Sequence, residues 1–166
     1  MQRPIMPSVA QVKALPLLLK KVIPASYEDM NGHMNIQHYL GLYDEAGLPF
    51  FESFGITADY FAVERQGIFD LEHHLRYLAE VHVGDYVAIH SRLLARTPKR
   101  LHGMWFIVNE TRQELSNTFE FISSHADLKA RRTSPFSDDL AQKFDVQIAN
   151  YTNLEWEAPI CGVMHA

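Results

Sequence analysis

Cysteine is almost missing from this chain. Cys161 is the only one among 166 residues, so no intrachain disulfide can form, and a reducing compartment, the cytoplasm, is the expected location. Long apolar runs are missing too. The longest near the start, Leu15 to Leu19, falls far short of the ~20 residues that a membrane-spanning helix needs, and no small-residue cleavage site follows it. Positive charge is scarce: fifteen Lys and Arg against twenty Asp and Glu leave a net charge of −5, which argues against binding nucleic acid through its phosphates. No HExxH or paired-cysteine spacing occurs, and the adjacent His73 and His74 point to opposite sides of a strand, so the nine histidines call for no metal. What remains, 47% hydrophobic and 21% charged, is an ordinary globular composition with enough length for one well-filled core.

The pattern divides the chain into an N-terminal arm (1–16), one domain (17–150) and a C-terminal tail (151–166). The arm carries three prolines and no period. Leu17 to Tyr27 is β-prone, with Pro24 at an edge or irregularity. From Ile36 to Phe54, the residues Ile36, Leu40, Tyr43, Gly47, Phe50 and Phe54 recur at alternating spacings of four and three, one stripe of a helix roughly 28 Å long. Asn35 is its expected cap and Gly55 its terminator, while Pro49 predicts a kink or restart near Gly47. A short helical turn is expected around Tyr60 and Phe61. The period then changes to two. Strands are expected over 67–77, 86–96, 101–110 and 115–126, with turns at Val83-Gly84-Asp85, Thr97-Pro98-Lys99 and 111–114, forming an antiparallel four-strand meander. A basic loop (129–135) and a closing helix (137–149) capped by Ser137 complete it. One long helix with an apolar stripe and an antiparallel sheet with one apolar face must cover each other. The fold class is therefore α+β: a single hotdog domain, a curved antiparallel sheet wrapped around one long central helix. Its edge strands invite a second copy.

The stretch before the helix carries the chemistry. Asp29, Asn31, His33 and Asn35 surround Gly32 and lead into the first-turn amides of Ile36, Gln37 and His38, an anion-holding helix start. A carboxylate beside such amides suits attack on a carbonyl: the amides hold the developing oxyanion, and the acid attacks or activates water. Asn31, His33 and Asn35 would orient the acid, the water or the loop. The same residues also make a plain turn followed by a cap, and composition alone does not choose. A calcium loop is excluded, since Leu40 stands where its glutamate belongs.

The run Asp29-Met30-Asn31-Gly32-His33-Met34-Asn35, with Tyr39-Leu40 after it, closely resembles the signature of acyl-CoA thioesterases of the 4-hydroxybenzoyl-CoA thioesterase type, and plant acyl-carrier-protein thioesterases share a related form. Tyr77 to Glu80 with Val83-Gly84-Asp85, and His125 to Asp127 with Arg131, Arg132 and Pro135, extend the resemblance over most of residues 20–140. It implies an Asp29 nucleophile or general base, the Ile36 backbone amide as oxyanion donor, and catalytic or orienting roles for Asn31, His33 and Asn35. Ile36 replaces an asparagine frequent in relatives, a change to which a backbone amide is indifferent. Tyr39 matches the family's aromatic ten positions after the aspartate.

The implied function is hydrolysis of an acyl-CoA to free acid and CoA, with coenzyme A as part of the substrate and no separate cofactor. Tyr43, Phe50, Phe51 and Phe54 offer apolar walls for the acyl group. The CoA phosphates have two basic candidates, Arg96, Lys99 and Arg100, and Lys129, Arg131 and Arg132. Glu72 is a secondary acid, and Glu45 reads as solvent-facing. The competing readings are a hotdog acyl-thioester hydratase or dehydratase, which lacks its Asn-Pro-x-His and His-Phe-Pro-Gly patterns here, and a non-catalytic acyl-CoA-binding module. A Cys161 nucleophile has no surrounding motif. A homodimer or homotetramer is the expected assembly.

Overall fold

The computed structural model describes residues 4–166. Two short elements precede the central helix. Helix α1 (Val9–Lys13) is opened by a capping box in which Ser8 and Gln11 exchange side-chain and backbone hydrogen bonds, so the N-terminal arm, which shows no period in its sequence, folds in part; its residues 1–3 lie outside the described residues. Strand β1 (Leu17–Val22) follows, and Pro24 falls just beyond it, before a single 3-10 turn (Ala25–Tyr27).

Helix α2 (Ile36–Glu52) starts where its cap predicts: the Asn35 side chain accepts from the Gln37 amide. It runs through Pro49 without interruption, not with the expected restart. Glu45 and Pro49 both lie on the exposed side, where water can serve the carbonyl that the missing N–H leaves free. The buried residues are Tyr39, Leu42, Tyr43, Ala46 and Phe50. The stripe is therefore rotated from the expected one: Tyr43 and Phe50 belong to it, whereas Ile36 and Leu40 are exposed. Helix α3 (Ala58–Ala62) is the short turn expected around Tyr60.

Strands β2 (Gln66–Tyr77), β3 (Tyr86–Arg96), β4 (Arg100–Asn109) and β5 (Glu114–Asp127) match the predicted runs closely. A two-residue β6 (Arg132–Thr133) inside the basic loop pairs with β5, and helix α4 (Asp138–Asn150) is capped by Ser137. The order in the sheet is β1-β3-β4-β5-β2, all antiparallel. Only β3, β4 and β5 form a meander. The expected fourth member, β2, pairs with β5 because β1 already occupies the flank of β3, Leu19 opposite Ile89, and residues 78–85 carry the chain between the two flanks.

The inner face of the sheet lays Trp105, Ile107, Phe119 and Phe121 against α2 in one core. The outer face is also covered. Val12, Leu15, Met104, Phe106, Val108 and Tyr151 form a second cluster beneath α1 and the tail. Two arginines hold the tail down: Arg92 donates to the carbonyls of Tyr151 and Trp156 and lies over the Trp156 ring, and Arg76 donates to those of Pro159 and Ile160. Among the described residues, no helix is long and apolar enough to cross a membrane.

Candidate active site

The loop before α2 is a tight reversal built by its own composition. Gly32 takes φ +77°, a conformation open to glycine. Its amide donates to the Asp29 carbonyl, the Asp29 amide donates to the His33 carbonyl, and Glu28 bridges to Met34. Met34 is the anchor: its side chain is buried and its amide donates to the Val81 carbonyl at 2.7 Å. His82 adds a second tie, with Nδ1 3.0 Å from the Gly32 carbonyl and Nε2 3.3 Å from a Glu80 oxygen. The ring of His38 stacks on Tyr27 at 3.8 Å.

This loop holds the Asp29 carboxylate from two sides. The Asn31 amide donates to Oδ1 at 2.8 Å, and the Asn35 side-chain Nδ2 donates to Oδ2 at 3.1 Å. Asn31 thus contributes its backbone, and its side chain is exposed. His33, expected beside the acid, has its Nδ1 3.3 Å from the Met34 carbonyl. The Asn35 oxygens take two of the three first-turn amides, Oδ1 accepting from Gln37 and the carbonyl from His38. The expected three-amide cradle is therefore reduced to one: the Ile36 N–H has no partner among the described residues.

Ile36 also lines a cavity of about 400 Å³, together with His33, Tyr39, Tyr77, Leu78 and Glu80. Tyr39 and Tyr77 meet edge to face with ring centres 5.0 Å apart. Burial, with Tyr77 and Glu80 beside it, pushes the Tyr39 hydroxyl up to about 12, so it stays a neutral phenol. One turn further along α2, Leu40, Tyr43 and Asp44 face Asp70, His73 and Trp105 across a second cavity of about 280 Å³. Tyr43 is nearly fully buried, and its hydroxyl donates to Asn117 at 2.6 Å. It serves the core and shows one face to this second cavity, not to the first.

The remaining expected residues lie elsewhere. Lys99 and Arg100 sit beside the end of β5, Arg100 opposite Ser124 and the Lys99 carbonyl accepting from His125; Arg132 is opposite Asp127, and Arg131 precedes it. The two basic groups are thus neighbours. Asn117, opposite Tyr77 at the first cavity, is seven residues from Ser124, so roughly 23 Å of strand separates them from that cavity. Glu72 is opposite Ile122 on the outer face, away from α2, which removes it as a second acid. Glu45 is paired with Lys21 at 2.7 Å and is not simply solvent-facing. The Cys161 amide donates to Glu120 on the outer face at 2.6 Å, far from the loop. Among the described residues, no three His, Cys, Asp or Glu side chains are grouped to hold a metal.

Tyr77, Glu80 and His82 were not legible as site residues. They stand more than forty positions from Asp29 and reach the loop only because residues 78–85 cross beneath it.

Comparison with known proteins follows the same lines. A model of the thioesterase-like superfamily matches residues 23–144. A bifunctional L-carnitine dehydrogenase/betainyl-CoA thioesterase of Agrobacterium fabrum is 32% identical over 138 residues, 83% of this chain and 27% of that protein. The chain thus spans about a quarter of that relative's length. A betainyl-CoA thioesterase of Pseudomonas aeruginosa is 26% identical over 75% of this chain and 77% of its own. Among solved structures, a Staphylococcus aureus protein in complex with CoA superimposes with a TM-score of 0.80 at 20% identity, covering 92% of this chain and 96% of that one. A 1,4-dihydroxy-2-naphthoyl-CoA thioesterase from Synechocystis gives 0.67 at 14% identity, over 80% of this chain and 94% of its own. At those identities the likeness shows the shared fold.

Proposed function

The chain belongs to the thioesterase-like superfamily, and from that premise we propose that it hydrolyses an acyl-CoA at the cavity where α2 begins, releasing the free acid and CoA. One observation carries the reading. The Asn35 side chain caps the helix and holds the Asp29 carboxylate at the same time, and Ile36, whose amide has no partner among the described residues, lines the cavity wall, of which Asp29 is not itself a part. The thioester carbonyl oxygen accepts from the Ile36 N–H, and that hydrogen bond strengthens as negative charge builds on the oxygen. Asp29 attacks the carbonyl carbon or takes the proton of a water that does so. The C–S bond then breaks, and the thiolate leaves and is protonated by solvent; where Asp29 has itself attacked, a water then hydrolyses the acyl–Asp29 anhydride, releasing the free acid and restoring the carboxylate. Asn31 and Asn35 orient the acid, while His33 and Tyr39 shape the wall.

The basic residues Lys99, Arg100, Arg131 and Arg132 form one positive end of the molecule that suits CoA phosphates presented across an assembly of copies. No cofactor beyond the CoA of the substrate enters this chemistry, and the cytoplasm fits the single thiol. The relatives' names make betainyl-CoA the first substrate to assay. Thiol release from a panel of acyl-CoAs tests the proposal, with Asp29→Asn beside the wild type. At least one member should be hydrolysed, and the variant should lose about a hundredfold or more of kcat with unchanged folding. Full activity in Asp29→Asn would remove the acid from the mechanism.

A further inference from the structure

Carboxylates and aromatic rings line the two cavities at Ile36 and Leu40 on α2, and among the described residues no lysine or arginine does. In the first, Glu80 is the only carboxylate, and the Tyr39 and Tyr77 rings meet beside it. In the second, Asp44 and Asp70 stand at the walls above a floor of Tyr43, Trp105 and Phe119. The chain as a whole carries twenty Asp and Glu against fifteen Lys and Arg, and four of the basic residues gather at the end of β5 far from the first cavity. Asp70 is held in its ionised form: the His73 hydrogen bond, outweighing burial, lowers its carboxyl below the ordinary value, and Ser123 adds to this at 2.5 Å. Trp105 leaves its buried indole N–H without a partner among the described residues.

We propose that the cavity beside Ile36 selects acyl groups that carry a positive charge close to the thioester carbonyl, with the Tyr39 and Tyr77 rings and the Glu80 carboxylate as the recognition set. The proposal rests on the thioesterase reading of the same cavity and goes beyond it by naming the charge that is recognised and the residues that recognise it. A quaternary ammonium has no N–H to donate, so hydrogen-bond acceptors alone discriminate poorly for it. What attracts it is the negative face of an aromatic ring together with a nearby anion. Tyr39 and Tyr77 supply two such rings at one wall, and Tyr39 stays neutral there. Glu80 is exposed at the rim, 3.3 Å from His82 Nε2, whose Nδ1 meets the Gly32 carbonyl of the loop. An acyl group ending in a carboxylate would meet Glu80 with no lysine or arginine among the described residues of the wall to offset it. The second cavity, which begins at Leu40 roughly 6 Å along the helix, keeps the same sign, so a longer cationic acyl group meets no positive wall either.

The test compares two thioesters of one shape and different charge: betainyl-CoA and 3,3-dimethylbutanoyl-CoA, in which a carbon replaces the quaternary nitrogen. The proposal expects the kcat/KM ratio, cationic over neutral, to be about tenfold or more in the wild type, since about 1.4 kcal/mol of cation–π and ionic attraction is a factor of ten. Glu80→Gln and Tyr77→Leu should each bring the ratio several-fold closer to one, and Glu80→Lys should invert it. The ratio is read, not the absolute rate, so a general loss of activity does not imitate the result. A wild-type ratio at or below one, with the neutral ester turned over, overturns the proposal and leaves the thioesterase reading standing. A high ratio that survives all three substitutions removes these residues as its source and also overturns it. Hydrolysis of neither ester, nor of any other acyl-CoA tried, overturns both.

Discussion

Asn35 uses both ends of one amide. Its oxygen satisfies the Gln37 amide at 3.0 Å and its nitrogen donates to Asp29 at 3.1 Å. Position of the acid and integrity of the helix start are thereby tied to a single side chain, and two substitutions separate them. Asn35→Ala removes both bonds and should lower stability by about 1 kcal/mol, the usual loss of a helix cap, along with turnover. Asn35→Ser restores a cap oxygen but has no donor that reaches Asp29. Its melting temperature should recover toward the wild type while kcat stays low. If Ser restored both, the contact with Asp29 would have no part in positioning the acid. At this scale the sequence was informative wherever neighbours in the chain are neighbours in space. Asp29, Asn35 and the Ile36 amide lie within eight residues and could be read together. The use of the Asn31 backbone instead of its side chain could not be read, because a turn offers both.

Elements were legible by period and misread by face. The four long strands, the central helix and its cap, and the closing helix all followed from spacing, since a period of two or 3.6 needs only local information. Which side of an element is covered depends on partners that the period does not name. On α2 the expected stripe began at Ile36, but the covered residues are Tyr39, Leu42 and Ala46, because the sheet closes over only one side. On β2 the alternation slips where Leu71 is an extra residue between Asp70, opposite Ser123, and Glu72, opposite Ile122. That bulge turns Asp70 and His73 to the same face, and it leaves Phe69 and Leu71 exposed. The middle of β4 shows what the sheet requires of single residues. Gly103 lies opposite Phe121, whose ring occupies the place where a Cβ would stand. Gly103→Ala must displace a ring that packs on Phe50 and Trp105. It should destabilise the protein by about 1–3 kcal/mol, as overpacking does. Urea unfolding measures this, and an unchanged midpoint would mean that the aromatic floor yields freely.

At the scale of the whole molecule, one side of the fold is unfinished. Strand β2 is the end of the sheet order, twelve residues long, and a long unpaired edge is a template for another chain. Some of the apolar residues left uncovered lie near it, Phe69 and Leu71 on the strand and Ile36, Leu40 and Leu48 on the face of α2 that the sheet does not close, while others, such as Leu17 and Val22 on β1, do not. The proposed homo-oligomer resolves both at once. Two copies related by a two-fold axis would pair β2 with β2 and lay the open faces of their α2 helices together, each patch meeting itself. The opposite edge, β1, is less inviting, since Lys20 and Lys21 lie on it and form ion pairs with Glu110 and Glu45. Sedimentation of the wild type should therefore give a dimer or a multiple of it at micromolar concentration. The double substitution Phe69→Lys, Leu71→Lys, which brings like charges together across the axis, should give a monomer. Because the second cavity opens between α2 and β2, thioester turnover should fall with the assembly, even though no substituted residue lines either cavity. A wild type that sediments as a monomer would leave the β2 edge and the α2 face unexplained and would withdraw the assembly. A double variant that stays dimeric would place the contact elsewhere on the surface, and activity lost without dissociation would point to the cavities being deformed and not opened.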